Sequence, residues 1–200
     1  MPQTLREVVL DNGLKVILKE AHTAPVTSTW VWYHVGSRHE IEGRTGISHW
    51  VEHMMFKGSS QFPKGAIMRA VDRCGGHSNA MTSLDFTAYY TTLPSDRAEL
   101  ALRIEADRMH TALFDLQEVE SERTVIIAER EESENDPYYI LAEEVAAAAF
   151  RVHPYHHQTI GWKADLVHLT RDELYNHYRQ YYTPGNAVLV IVGDFEPEEC

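Results

Sequence analysis

The sequence predicts an α+β fold, a mostly antiparallel sheet packed against helices, in one domain over residues 1–200. Three observations carry that expectation. The N-terminus reads as a β-hairpin, the middle as a series of amphipathic helical segments with no internal repeat, and residues 187–192 as a short buried strand. In the hairpin, Glu7 to Leu10 and Leu14 to Lys19 flank Asp11-Asn12-Gly13, a turn whose residues tolerate positive φ. A third strand is expected over Thr27 to Val35, followed by a loop from Gly36 to Gly43. Helix resumes near Thr45 and runs to Lys57, and Pro63 to Arg73 suggests another. Two strands flank Ser83-Leu84-Asp85, with Phe86, Ala88 and Tyr90 alternating against Thr87, Tyr89 and Thr91. Ser95 to Thr111 opens on capping residues and presents Leu100, Ile104 and Met109 inward. Further helices are expected over Leu116 to Glu134, Tyr138 to Phe150 and Arg171 to Tyr182, the last closed by Pro184-Gly185.

Two hundred residues suffice for a sizeable core. The formal charge of -12 argues against a nucleic-acid surface, which needs clustered Lys and Arg. Two cysteines, Cys74 and Cys200, are too few for a disulfide framework, and Cys74 reads as a small core residue where a helix ends before Gly75-Gly76. No run of about 18 apolar residues marks a membrane span, and MPQTLREVVL lacks the apolar centre of a signal peptide. The expectation is a cytoplasmic chain, or a periplasmic one whose export signal has been removed.

The candidate chemistry centres on His49-Trp50-Val51-Glu52-His53. Residues i and i+4 of a helix lean the same way one turn apart, so both imidazoles can reach one metal ion. Glu52 stands beside them, where a carboxylate that does not ligate can take a proton from water. His-x-x-Glu-His is the inverted form of the commoner zinc-peptidase motif. The pentapeptide alone is also compatible with a half-buried helix whose histidines bond to backbone or water.

Catalytic zinc usually takes three protein ligands, so a third donor belongs on a second rigid element. On the helix expected over Leu116 to Glu134, Val119, Glu122, Ile126 and Glu129 share a face. A carboxylate turned toward a core needs a partner or a metal, whereas Glu118, Glu120, Glu131, Glu132 and Glu134 can form a solvated face. Glu129 is the candidate third ligand. Glu122, two turns earlier, could hydrogen-bond a ligand histidine and fix its ring.

The motif followed by MMFKG, with Glu122-Arg123 and Glu129 downstream, resembles the insulinase/pitrilysin family of zinc peptidases. DNGLKVILKE at 11–20, GGHSNAMTSLDFTAYYTTLP at 75–94, HPYHHQTIGW at 153–162 and YYTPGNAVLVIVGDFEPEE at 181–199 agree with it in order. The resemblance covers essentially the whole chain and is nearest the bacterial and processing-peptidase branch. It implies one Zn2+ per chain held by His49, His53 and Glu129, with Glu52 as general base and Glu122 as supporting acid. It also implies an extended peptide substrate lying along the strand edge that contains Asn79 and Ala80. Members usually carry two related halves, so the partners expected are peptide substrates and a missing C-terminal half or homologous subunit, with no nucleic acid and no membrane. A homo-oligomer is compatible with this, and the oligomeric state stays open.

Phe195-Glu196-Pro197-Glu198-Glu199 looks like the opening turn of a helix, which points to a chain truncated before its final helix. His77, His110, His168 and His177 are expected to make ordinary polar contacts, and the cluster His153, His156 and His157 to shape structure rather than bind the metal. Two other functions stay open: a non-proteolytic scaffold or partner subunit of the same family, and a metal-dependent hydrolase of a small molecule.

Overall fold

A computed structural model describes residues 5–196. Residues 197–199, where the sequence suggests a helix start, and Cys200 lie outside the described part. Six strands form one sheet: β1 (Leu5–Val9), β2 (Lys15–Glu20), β3 (Val26–Tyr33), β4 (His77–Thr82), β5 (Thr87–Pro94) and β6 (Ala187–Gly193), in the order β1-β2-β6-β3-β5-β4. Every pairing is antiparallel except β2 with β6, which runs parallel from Lys15↔Val188 to Glu20↔Gly193. The hairpin turn closes where expected, with Gly13 at φ +87° and the Asn12 side chain accepting a hydrogen bond from the Leu14 N–H at 3.1 Å.

The helices are α1 (Ile47–Met54), α2 (Ala66–Arg73), α3 (Ala98–Thr111), α4 (Leu116–Ser133), α5 (Pro137–Ala149), α6 (Lys163–Leu166) and α7 (Arg171–Tyr181). Period-two alternation on β3 buries Thr27, Thr29, Val31 and Tyr33 and turns Trp30 and Trp32 to the other face. There Trp30 stacks on Tyr90 with ring centroids 4.3 Å apart, and Trp32 meets Phe86 at 4.9 Å. The main core joins Val31 and Tyr33 to Trp50, Val51 and Met54 of α1, Ile126 of α4 and Tyr178 of α7. Burying each such side chain contributes about 1.5–3 kcal/mol, so α1 is held chiefly by its inner face. Among the described residues no helix is long and apolar enough to cross a membrane.

Several expectations change in detail. Helix α1 starts at Ile47 rather than near Thr45 and ends at Met54 rather than Lys57. Gly46 precedes it at φ +85°, and a Cβ there would meet the Ile160 carbonyl at 2.3 Å, so the chain turns sharply before the helix begins. The presumed loop 36–43 contains a 3-10 turn, Ser37–His39, and supplies Glu40, whose carboxylate accepts the Gly46 and Ser48 N–H groups at 2.8 Å each. Glu40 thus caps α1 from eight residues away, and burial pushes its carboxyl up to about 8 against those two N–H groups. Helix α2 starts at Ala66 because residues 58–63 form a small bridge, Gly58↔Pro63. The short α6 carries no clear periodic signal. Strand β6 is only partly buried, since Val188, Leu189, Val190 and Val192 keep intermediate exposure. In α3 the fully buried positions include Arg108 and Glu105, an ion pair on adjacent turns beneath Tyr89. Leu100 and Met109 pack at the margin of the core.

Candidate metal centre

Helices α1 and α4 contact one another and bring the predicted residues together. His49 and His53 face each other with Nε2 atoms 3.2 Å apart, and Glu129 Oε2 lies 3.9 Å from the first and 3.7 Å from the second. The three donors lie within 4.8 Å of one another. Two nitrogens bound tetrahedrally to zinc stand about 3.3 Å apart, so the imidazole pair already has the spacing of one edge of such a site.

The hydrogen bonding points the same way. His53 Nδ1 lies 2.8 Å from Glu122 Oε1, and Lys57 pairs with the other oxygen of that carboxylate. Burial raises the Glu122 carboxyl, but the His53 and Lys57 hydrogen bonds outweigh it and leave the pKa below the usual value. An ionised Glu122 accepts, so His53 Nδ1 donates and the lone pair of neutral His53 sits on Nε2, facing His49. His49 Nδ1 is buried with no partner among the described residues. If His49 carries its proton on Nδ1, two lone pairs confront each other; if on Nε2, a buried acceptor is orphaned. A divalent cation shared by both rings removes the conflict, and the donor set fits one.

Glu52 directly precedes His53 on α1. Its Oε2 accepts from Thr82 Oγ1 at 2.6 Å, while Oε1 has no hydrogen bond to another described residue. Burial raises its pKa above the ordinary carboxylate value, opposed by the Thr82 hydrogen bond and the charge of His53. A cleft of about 280 Å³ opens beside these groups, lined by His49, Thr82, Glu129, Ser133, Tyr139 and Gln158. A larger cavity of about 540 Å³, walled by Leu14, Val31, Leu102, Met109, Tyr182 and Leu189, contains none of the candidate residues.

The shared face expected on α4 is corrected in one position. The buried residues are Val119, Glu122, Ile126 and Arg130, while the Glu129 side chain keeps 41% exposure at the margin. Arg130 takes the inward place because Glu143 of α5 receives it in two hydrogen bonds of 2.6 and 2.7 Å. Glu129 therefore faces the cleft, and its carboxylate reaches the histidines from the open side. Asn79 and Ala80 lie on β4, which ends the strand order and so has one edge unpaired among the described strands. Asn79 is exposed, and Ala80 packs against the main core.

The histidine-rich stretch stays apart from these donors. His153 caps a 3-10 turn, Pro154–His156, through the Tyr155 N–H, and His156 pairs with Glu42 at 3.0 Å. His177 is buried against Ser48 Oγ at 3.1 Å. Sequence reading missed Lys57, Glu40 and Thr82. The alternation of β4 places Thr82 on the same face as Ala80, a signal that gains meaning only once β4 is known to lie against α1.

Two imidazoles from α1 and a carboxylate from α4, with a second carboxylate alongside, form a donor group that could hold a divalent metal ion on an α+β fold. Over residues 15–162 the sequence matches the family model described as Insulinase (Peptidase family M16), and over residues 168–200 the one described as Peptidase M16 inactive domain. The chain belongs to the insulinase family, peptidase family M16. The described part of that second match, residues 168–196, does not stand apart structurally, because β6 lies between β2 and β3. The chain is 32% identical over 190 residues to the uncharacterized zinc protease YmxG of Bacillus subtilis, covering 95% of this chain and 46% of that protein. It is 31% identical over 198 residues to the probable mitochondrial-processing peptidase subunit beta of Arabidopsis thaliana, covering 99% and 37%. A solved protease from Helicobacter pylori superposes with a TM-score of 0.94 at 32% identity, covering 98% of this chain and 48% of that one. The chain thus spans about half, or less, of the length of these relatives.

Proposed function

We propose that this chain is the zinc-binding half of an endopeptidase that cuts extended or unfolded peptides. The observation that carries the reading is the convergence of His49, His53 and Glu129 donors within 4.8 Å, beside a Glu52 carboxylate with one oxygen that has no hydrogen bond to another described residue. Relatives named as zinc proteases support the choice of metal. When bound, zinc supplies a Lewis acid that polarises a peptide carbonyl and acidifies water at the site.

The chain's own groups do the rest. His49 and His53 offer Nε2 lone pairs, Glu122 holds the His53 ring with its proton on Nδ1, and Lys57 holds Glu122. Glu52 Oε1 accepts a proton from the attacking water and returns it to the leaving amine nitrogen, a task for which a raised carboxyl pKa is suited. The unpaired edge of β4, with Asn79 and Ala80, receives the substrate as an added strand, which reads mostly backbone and tolerates many sequences. A second, homologous half would confine the peptide and add contacts to the transition state, so the chain alone is expected to bind zinc well and cleave slowly.

Zinc content of the purified chain and of Glu129→Ala tests this directly. About one zinc per chain, with clear loss in the variant, is expected. A wild-type chain that stays zinc-free after reconstitution, or a variant that holds zinc equally tightly, sinks the three-donor site. Internally quenched peptides, cut slowly by the chain alone and faster when the other half is supplied, separate a peptidase from a scaffold and from a small-molecule hydrolase.

A further inference from the structure

Thr82 is the last residue of β4, and its hydroxyl reaches across to α1 to donate to Glu52 Oε2 at 2.6 Å. Two things make that contact more than a chance pairing of surface groups. Glu52 is half-buried and Thr82 is its one side-chain hydrogen-bond partner among the described residues, so the hydroxyl ties down one of its two carboxylate oxygens. The backbone of Thr82 is also unusually well fixed. It pairs with Thr87, itself buried and donating to the Val35 carbonyl at 2.9 Å. The following turn is pinned from outside: Ser37 and Arg38 donate their N–H groups to Ser83 and Leu84 carbonyls at 3.1 and 2.9 Å. Gly36 allows that approach, since a Cβ there would meet the Ser83 carbonyl at 2.3 Å. Tyr155 from the histidine-rich stretch donates to Asp85 at 2.8 Å and clamps the turn a third time.

We infer that Thr82 is a positioning residue for Glu52, holding one carboxylate oxygen so that the other is presented to the cleft. This rests on the reading of Glu52 as the proton acceptor. Because Thr82 also belongs to the strand whose free edge is the proposed substrate seat, the aim of the base and the register of a bound peptide are set by one rigid element. An added strand that tightens β4 tightens the base as well. Thr82 is not one of the metal donors and its hydroxyl is bonded to Glu52, so its contribution lies in the chemical step rather than in metal or peptide affinity.

The test compares wild type with Thr82→Val, which keeps the β-branched shape, and Thr82→Ser, which keeps the hydroxyl, in the full-length protein. Crystal structures are expected to show the Glu52 carboxylate turned away in the valine variant, with His49, His53 and Glu129 unmoved, and restored in the serine variant. Zinc content and melting temperature should match wild type, while kcat on a quenched peptide falls roughly 10- to 100-fold with KM unchanged and recovers with serine. A carboxylate that stays in place, a kcat within twofold of wild type in the valine variant, or a loss of zinc or stability there overturns the inference. If wild-type protein cuts no peptide, the peptidase reading fails on its own, and the position of the Glu52 carboxylate still decides the role of Thr82.

Discussion

His53 Nδ1 and Glu122 Oε1 lie 2.8 Å apart, joining the predicted ligand on α1 to the most deeply buried acid of α4. That bond sets the direction of the neighbouring lone pair. With Lys57 on its other oxygen, Glu122 stays ionised in a setting where burial alone would neutralise it. Lys57 and the His53 ring share the Glu122 carboxylate, which orients one ring nitrogen toward His49, and the arrangement forms because α1 and α4 pack together.

Replacing Glu122 with Gln keeps the shape but removes the charge from this arrangement. A neutral amide accepts more weakly than a carboxylate, and Lys57 loses its partner. Zinc affinity is expected to fall about 10- to 100-fold, the range typical for losing an acid behind a ligand histidine. Competition with a chromophoric chelator measures it, and an unchanged affinity would show that Glu122 serves only the packing of α4.

Proton release on zinc binding should come from one histidine. Burial, then the charge of His53, pushes His49 down to about 3, so it is already neutral at mildly acid pH. For His53 burial acts downward too, but the Glu122 hydrogen bond and the charges of Glu129 and Glu52 outweigh it and leave the pKa above the ordinary histidine value. Zinc needs the Nε2 lone pair, so affinity falls as pH drops through that raised pKa and levels off above it. At about pH 5 to 6, where His53 is protonated in the metal-free chain, close to one proton per zinc should be released. In the metal-free chain the sign is opposite: the raised His53 pKa contributes stability that is fully present below the unfolded histidine pKa and is lost as pH rises through the folded one. Calorimetry in two buffers of different ionisation enthalpy counts the protons, and a count near two or near zero contradicts the assignment.

The strand alternation of β3 and β5, the Asp-Asn-Gly turn and the uninterrupted helical stretch of α4 were legible because each is a local pattern. The imidazole pair was legible for the same reason, being one turn of one helix. What the sequence concealed is whatever depends on two distant segments meeting. Glu129 and Arg130 are neighbours of equal helical plausibility, and partners outside α4, chiefly Glu143 and Tyr139 of α5, hold Arg130 inward while Glu129 stays at the cleft. Glu40 and Thr82 look like ordinary loop and strand residues until α1 is placed against them. The parallel β2–β6 pair likewise follows from a strand arriving last and inserting between two formed early in the chain.

The Arg130–Glu143 pair should matter to stability rather than to the metal. Arg130 and Glu143 side chains keep only 5% and 10% exposure, and Arg130 also donates to Tyr139 at 2.9 Å. Arg130→Ala leaves the Glu143 carboxylate buried without its partner, which costs about 3–5 kcal/mol. Denaturant unfolding at neutral pH should show a loss of this size, with the zinc stoichiometry of the folded fraction kept. A loss below about 1 kcal/mol would place the pair with surface ion pairs, whose contribution is that small.

Glu52→Gln separates metal holding from chemistry most cleanly. Glu52 is not one of the three converging donors, and Thr82 can donate to an amide oxygen as it does to Oε2. The variant should therefore bind zinc with wild-type stoichiometry and nearly wild-type affinity. An amide oxygen has no useful basicity near neutral pH, so it cannot take a proton from water or return one to the leaving amine. Peptide turnover in the full-length protein should fall about 10²- to 10⁴-fold, the share general acid–base catalysis usually supplies, with KM little changed. If turnover survives, the proton acceptor is another group; if zinc is lost instead, Glu52 belongs among the ligands and Glu129 must be reconsidered as the third donor.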